Sequence, residues 1–579
     1  MKLKTLSIKN FRNFEDISIT LSNKNVVFGM NDVGKTNFLY ALRFLFERKI
    51  RNKGFLESDF FQKDTTRVIE ICLEIDISDH ETDFDSQNII SKIGKERDSG
   101  NLNSVFIKVI ANFDENEFFG IPKLVWGNQE EELQKIPGEG TFCDLDRLFH
   151  VVYVDPLIDL DKIFSLNKRK IFSKQKTQSD GELLEDINVL AEQINSKIST
   201  MESVTKFQEI LTNEYHNLKN EDISVVLRSE MVINGVFNDL QPYITKNTDV
   251  TKKLYPTSGD GRKKILAYSL LNHITEEFNT NKTIPIFLIE EPENSLHRSM
   301  QIALSKQLFN QEIYRYFVMS THSSEMLYEM DKATLIRLCN EDRTIAKSFL
   351  YKVGEEFSKI KRELNESLTT ALFADRVLLI EGPSEKVLFE KILQEIQPNY
   401  ELEGGYILQV DGIKFKPYYK TLINLGINCI VKTDNDLKET TKNSSKQFEY
   451  IGYNRCVGLL DGNEWKKWEG YIEIDYSSSD REDKIKAWKK SNFNQIQKIQ
   501  QLRNKNIYLS KVDLENDLNE AIPETLELWR NTNHDAVPYL QKQKLMRMIK
   551  LCDFLKEEDC QQIYNHSLFE CLKKLTGDF

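Results

Sequence analysis

The sequence predicts two α/β domains in series, each a largely parallel sheet with its chemistry at the carboxyl ends of the strands. Three observations predict this. Near the N-terminus a strand runs into a glycine-containing loop that opens a helix. Between residues 284 and 323 two apolar segments, IPIFLI and RYFVMS, each end in polar residues. From residue 376 strand-like and helix-like segments alternate again as RVLLIEG, SEKVLFEKIL, YILQV, YKTLINLG and INCIVKTDND, the βαβ pattern of a doubly wound sheet.

Taken in order, LSIKNFRNFEDISITL alternates like strand and leads to Asn25-Val26-Val27-Phe28. Residues 37–49 place Phe38, Leu39, Leu42, Leu45 and Phe46 on one helical face, and residues 68–77 and 105–112 read as further strands. Over 181–217 apolar residues recur at three- and four-residue steps from Leu184 to Tyr215, a helical insertion whose stripe packs on its own domain or dimerises. Residues 437–505 are polar and lysine-rich and read as an insertion rather than core, and 520–579 read as helical.

At 579 residues the chain has room for three to four domains, and 40% apolar with 29% charged residues is globular composition. The net charge of −12 means that nucleic-acid contact has to use local basic patches. Candidates are Lys168-Arg169-Lys170, Arg262-Lys263-Lys264, Lys359-Lys361-Arg362 and Lys486-Lys489-Lys490, with Trp465, Trp468 and Trp488 placed to stack on bases. Eight scattered cysteines without a CxxC pair argue against a zinc ribbon or a disulfide framework. The N-terminal segment lacks a signal-peptide core, and no run approaches the ~18 apolar residues of a membrane span. The expectation is a cytoplasmic protein with no membrane role.

Gly29-Met30-Asn31-Asp32-Val33-Gly34-Lys35-Thr36 fits GxxxxGK[ST] between a strand and a helix, the setting of a phosphate loop. Its backbone amides would cradle phosphates, with Lys35 reaching the β- and γ-phosphates and Thr36 ligating Mg²⁺. Phe287-Leu288-Ile289 closes on Glu290 and Glu291, the first suited to Mg²⁺ and the second to orienting a water. His322 ends the next strand, where it can sense a γ-phosphate, and Ser258-Gly259-Asp260-Gly261-Arg262 precedes a helix able to grip one. This series resembles the ABC-type ATPase heads of the RecF, SMC and OLD proteins. The resemblance implies a Walker A loop at 29–36, a Walker B strand ending at Glu290, a catalytic Glu291, a switch His322 and a signature loop at 258–261 that serves a second subunit's ATP. Two departures, Glu290 in place of Asp and SGDGR in place of an SGGQ-like string, suggest slow turnover or a sensing role.

Glu381 ends the first strand of the second series, in EGPSE with Glu385, and Asp434-Asn435-Asp436 ends another strand 53 residues later. In a parallel sheet both reach one edge, and converging hard oxygens suit Mg²⁺ or Mn²⁺, not zinc. A Glu followed by DxD resembles the Toprim domain of topoisomerases, primases and OLD-family nucleases. Asp513 and Glu515 of DLEND add enough carboxylate for a second metal, and two ions about 4 Å apart can stabilise both the attacking and the leaving oxygen of a phosphodiester. Lys542 or Lys544 would offset charge on the phosphate.

An ABC-type head followed by Toprim is the order of OLD-family nucleases, and the segments FGMNDVGKTNFLYALRFL, YPTSGDGRKK, IEEPENSLHRSMQIALSKQLF, LLIEGPSEK, VKTDNDLK and YLSKVDLENDL resemble the nuclease family of the Gabija anti-phage system. That resemblance implies an ABC-type P-loop ATPase head at 1–345, with a dimerising helical insertion at about 155–250, and a Toprim nuclease domain at 346–579 with an insertion at about 437–505. It implies a metal-dependent DNA endonuclease regulated by nucleotide, working as a homodimer or homotetramer on double-stranded DNA beside a GajB-like helicase. The alternative is an ATP-dependent recombination mediator whose Toprim domain does not cleave, and a topoisomerase would need a tyrosine facing the Toprim carboxylates. The products made from supercoiled plasmid separate the three.

Overall fold

The structure is a computed structural model that describes all residues except 31, 94–102, 140–141, 158–159, 161–162, 165–177, 219–223, 225, 228–242, 245–254, 257–259, 280–282, 341–342, 413–414, 443–444, 463, 468–471, 474–480, 496–497, 531–535 and 579. Asn31, Ser258, Gly259, Trp468 and Lys168-Arg169-Lys170 therefore lie outside the described residues. By Cα packing the chain divides into one unit of Met1–Tyr153, Ile286–Glu293 and Arg298–Phe579, and a second of Val154–Pro285 with Asn294–His297.

In the first unit, β1 (Lys2–Phe11) and β2 (Phe14–Thr20) form an antiparallel hairpin in which Ile8 faces Ile17. The chain then crosses into a different sheet with β3 (Lys24–Phe28), and returns for β4 (Ile69–Asp76), β5 (Ser104–Asp114) and β6 (Phe119–Gly127). The first sheet is antiparallel, ordered β2-β1-β4-β5-β6, and its buried face is built by alternation such as Leu6 and Ile8 in, Ser7 and Lys9 out. Sequence periodicity suggested β1, β2, β4 and β5 without their common sheet, and did not mark β6.

The second sheet adds β7 (Phe149–Val154), β8 (Ile284–Glu290), β9 (Phe317–Ser320), β10 (Thr334–Asn340) and β11 (Thr344–Leu350), in the order β7-β8-β9-β3-β10-β11. Strands β8, β9, β3 and β10 are parallel, and Phe287, Leu288 and Ile289 are fully buried, as expected for strands covered on both faces. Glu290 pairs with Ser320, which pairs with Val27, so the ends of β8, β9 and β3 share one edge. Helix α1 (Lys35–Phe46) begins just beyond that edge.

The second unit, taken by itself, carries α2 (Gln178–Ser199), α3 (Glu202–Leu218) and α4 (Asp260–Asn279). The apolar stripe is thus a pair of helices broken at Thr200–Met201. Leu190, Met201, Phe207 and Ile210 are each more than half exposed. Lys264 is buried in α4, where its ammonium donates to the carbonyls of Pro156 and Asn294 at 3.2 and 3.0 Å, so it is not a free phosphate contact.

The third sheet, again in the first unit, consists of β12 (Arg376–Ile380), β13 (Gly405–Gln409), β14 (Asn428–Thr433) and β15 (Ile507–Leu509). All are parallel, in the order β13-β12-β14-β15. Helix α5 (Pro383–Ile396) follows β12, α6 (Phe415–Asn424) precedes β14, and α7 (Ile451–Val457) lies in the segment expected to be a surface insertion. Helices α8 (Leu514–Ala521), α9 (Ala536–Lys542) and α10 (Lys544–Phe554) follow β15. Leu378, Ile380 and Ile430 of the sheet share a core with Leu388 and Phe389 of α5, Leu518 of α8, Met548 and Leu551 of α10, and Phe569 and Leu572 near the C-terminus. Contacts that join this domain to the second sheet include Arg337 of β10, which donates to the Asp375 carboxylate at 2.5 Å and to the Gly426 carbonyl at 3.1 Å, and the Phe28 ring, which meets Phe373 edge-on at 5.8 Å.

Beneath the sheet lies an ion pair that the sequence does not announce. Lys432 of β14 donates to Asp517 of α8 at 2.7 Å, both side chains being 1% exposed, and to the Leu568 carbonyl at 3.2 Å. Burying two charges gains little, but removing one strands the other in an apolar core. Asp517→Ala is expected to lower unfolding free energy by about 3–5 kcal/mol in a urea titration, and the double variant Lys432→Met/Asp517→Leu by clearly less. Equal losses would show that the pair is not the source.

Candidate functional site

The first candidate site is the edge shared by β3, β8 and β9. Gly34 caps α1 with φ 99°, and a Cβ there would collide with the Asn13 carboxamide, so the turn that aims the amides requires glycine. Lys35 is buried and donates to the carbonyls of Gly29 and Met30 at 3.2 and 2.7 Å. Burial lowers the pKa of its ammonium, opposed by Glu291, Asp32 and Glu293. The Thr36 hydroxyl donates to one oxygen of Glu290, and the Tyr153 hydroxyl to the other. His322 Nε2 stands 3.4 Å from the Glu291 carboxylate, and the His322 backbone amide donates to Glu293 at 2.6 Å. Burial and the Lys35 charge depress the His322 pKa, so the ring favours its neutral form. Thr36, Glu290, Glu291, His322 and Lys35 thus meet as expected. Tyr153 and Glu293 are additions that spacing did not suggest, and burial raises the Glu293 pKa.

The second candidate site is the carboxyl edge of the third sheet. Glu381 follows β12 directly, and its Oε1 accepts from the Thr433 hydroxyl, the Asp434 amide at 3.1 Å and the Arg455 guanidinium. Glu385 sits in the first turn of α5, buried, accepting from the Gly382 amide at 2.6 Å. Asp434 follows β14, is buried and accepts from the Ser510 hydroxyl at 3.3 Å. Asp436 is more exposed and lies 3.7 Å from Arg455. Asp513 caps α8, accepting from the Asn516 amide at 2.9 Å and from Gln541 at 2.7 Å. Glu515 is 1% exposed and neither of its oxygens has a hydrogen-bond partner. Lys544 Nζ lies 3.6 Å from Glu515 and 3.9 Å from Asp434. It is Lys544 that makes these contacts, not Lys542, because a break at Gln543 separates the end of α9 from the start of α10.

All the donors here are hard oxygens, and the buried Glu515 carboxylate has Lys544 at 3.6 Å but no hydrogen bond, so the set fits a divalent hard metal. Among the described residues no three His, Cys, Asp or Glu side chains converge closely enough to hold an ion as they stand. Glu381 is turned to Arg455, and Asp513 to Asn516 and Gln541. A metal held by Glu381 and Asp513 would have to displace these bonds. Sequence reasoning missed Arg455, since an arginine in a polar, lysine-rich stretch looks like surface. Of the basic clusters, Lys361 pairs with Asp331 at 3.2 Å and Arg362 with Glu329 at 3.6 Å. Trp488 packs against Tyr450 at 4.6 Å rather than standing free to stack on a base.

Against known proteins, residues 1–141 match the AAA ATPase domain, and residues 372–436 match the domain described as overcoming lysogenization defect protein-like, TOPRIM. The chain is 46% identical over 579 residues to Endonuclease GajA of Bacillus cereus (strain VD045), covering 100% of this chain and 99% of that protein. The chain belongs to the GajA endonuclease family. The Old nuclease of Escherichia phage P2 is 21% identical over 469 residues, 75% of this chain and 77% of the relative. The OLD nuclease of Thermus scotoductus is 22% identical over 431 residues, 71% and 77% of the two chains. Like its family, the chain joins an N-terminal ATPase domain to a C-terminal Toprim nuclease domain, and such domains use divalent metal ions. Among the described residues no helix is long and apolar enough to cross a membrane.

The crowding of acids has a pH signature. Burial pushes the Glu385 carboxyl up to about 7, and burial with the charge of Glu385 raises Asp434 well above the carboxylate range. Burial likewise raises Glu515, against the pull of Lys544. An acid whose folded pKa is raised takes up a proton on folding, so its contribution to stability falls as pH climbs from the unfolded value of 4.5 to about 7. With EDTA present, the wild-type Tm is expected to fall relative to that of Glu385→Gln as pH rises from about 5 to about 8. Parallel curves in differential scanning calorimetry would refute the assignment.

Proposed function

We propose that this chain is a divalent-metal-dependent endonuclease of double-stranded DNA, governed by ATP at its head and serving anti-phage defence as the nuclease of a Gabija-type system. One observation carries the reading. Glu381, Glu385, Asp434, Asp436, Asp513 and Glu515, drawn from three separate segments, lie around Asp434 and Lys544 at one strand edge. A domain that only recruits DNA needs no such concentration of buried acid, which disfavours the mediator alternative.

In this reading Glu381, Asp434 and Asp436 hold one Mg²⁺ or Mn²⁺ with Glu385 in support, and Asp513 and Glu515 hold a second. Bound there, the ions would polarise the phosphodiester and make a water nucleophilic near neutral pH. The residues supply geometry: β12 and β14 fix Glu381 and Asp434 in register, and the cap of α8 fixes Asp513. Lys544, held by Glu515 and Asp434, places its ammonium where negative charge grows on the phosphate. At the head, Gly29, Asn31, Gly34 and Lys35 hold the ATP phosphates, Thr36 and Glu290 the Mg²⁺, Glu291 orients a water and His322 reads the γ-phosphate. Ser258 and Gly259 serve the site of another copy. The ATPase head spans 1–345 and the nuclease domain 346–579. The exposed stripe of α2 and α3 suits self-association as a homodimer or homotetramer, and resemblance adds a GajB-like helicase and a cytoplasmic setting.

On supercoiled plasmid with Mg²⁺ or Mn²⁺, the wild type is expected to give nicked or linear DNA. Glu381→Ala, Asp434→Ala and Asp513→Ala should each slow this at least about a hundredfold while DNA binding persists, since each 1.36 kcal/mol of lost stabilisation is tenfold in rate. Normal nicking by Glu381→Ala would overturn the reading. Lys35→Ala should lose ATP binding yet bind Mn²⁺ at the nuclease site as the wild type does, measured by calorimetry; loss of both would mean the sites are not separable. Light scattering should show more than one copy per particle.

A further inference from the structure

We infer that Arg455 is a further residue of the nuclease site: its guanidinium is the counter-charge of Glu381 and Asp436 until these take a divalent cation, and it then faces the scissile phosphate. The inference rests on the nuclease reading above and extends it to a residue outside the acidic set.

Arg455 bonds Glu381 Oε1 and the Thr433 hydroxyl, and its second nitrogen stands 3.7 Å from Asp436. Its position is built in. The first two amides of α7, Ile451 and Gly452, both donate to the Asp436 carbonyl at 3.0 Å. Gly452 lies so close to the chain at Asp434–Asp436 that a Cβ would collide with the Asp434 carbonyl and the Asp436 amide. Arg455 is three residues further, on the same helical face, so the contact that docks α7 also aims its guanidinium. Neighbouring Tyr453, Cys456 and Val457 are buried and hold the helix in place.

A guanidinium stays charged at any working pH, and its planar fork matches carboxylate and phosphate alike. Arg455 therefore competes with a cation for Glu381 and Asp436. With a cation on those carboxylates, repulsion would free the fork of Arg455 to meet an anionic phosphate. The two roles have opposite signs: removing Arg455 should strengthen metal binding and weaken cleavage. A residue that merely supported the fold would weaken both.

The test uses the full-length protein. Arg455→Gln keeps hydrogen bonding and removes the charge. Calorimetric titration with Mn²⁺, without DNA, should show affinity raised roughly three- to tenfold, the size of one partly buried ion pair. In EDTA the variant's Tm should fall, and at saturating Mn²⁺ plasmid nicking should slow at least about tenfold. Mn²⁺ affinity unchanged or weakened, or nicking undiminished at saturating Mn²⁺, would overturn the inference. If Arg455→Gln does not fold, Arg455→Lys keeps the charge and loses the fork: Mn²⁺ affinity should stay near wild type and nicking should fall, and undiminished nicking overturns the inference. If Glu381→Ala is inactive while Arg455→Gln nicks normally, the nuclease reading stands and only this inference falls.

Discussion

Six carboxylates cannot share one strand edge, several of them buried, without cations to answer them. That electrostatic constraint organises the C-terminal half of the molecule. Lys544 answers Glu515 and Asp434 from the start of α10, Arg455 answers Glu381 and Asp436 from α7, and Lys432 answers Asp517 on the inner side of the sheet. Each cation comes from a different segment. The strand ends and the first turns of the helices after them bring the acids together, and α7, α10 and β14 supply the charges that answer them.

The same edge logic governs the head. Parallel pairing of β8, β9 and β3 lines up Glu290, Ser320 and the loop after Phe28 before any side chain is considered. Thr36 and Glu290 touch directly, and His322 reaches Glu291 across the strand ends. Both sites thus obey one topological rule, although their residues differ: a glycine-bearing loop beside a Thr36–Glu290 contact in one, a cluster of carboxylates in the other.

What could be read from sequence was what acts locally. Gly34, Lys35 and Thr36 lie within one loop and helix start, and Glu381 with Asp434 stand at the ends of recognisable apolar strands, so their spacing carries their placement. Residues whose role depends on distant packing were silent. Arg455 lies in a stretch whose composition looks solvated, and nothing in its neighbours betrays that Gly452 docks the helix on the Asp436 carbonyl. Asp517 looks like another member of an acidic motif, yet the turn of α8 sends it to Lys432 while Glu515 faces Lys544. That Lys544 rather than Lys542 touches Glu515 and Asp434 goes with a break at Gln543 that no periodicity marks. The N-terminal antiparallel sheet was equally hidden, because its members are interrupted by β3, which belongs elsewhere.

Phe28 is the last residue of the strand that carries the phosphate loop, and its ring rests on Phe373, three residues before β12 begins. Arg337, on the neighbouring strand, clasps Asp375 and the Gly426 carbonyl, just ahead of β12 and β14. The two candidate-site edges are therefore framed by a common joint rather than by a loose tether. Such a joint bears on recombination: a chimaera that takes one half from a relative would set Phe28 and Arg337 against partners other than Phe373 and Asp375, and the two halves would then meet through side chains not matched to each other.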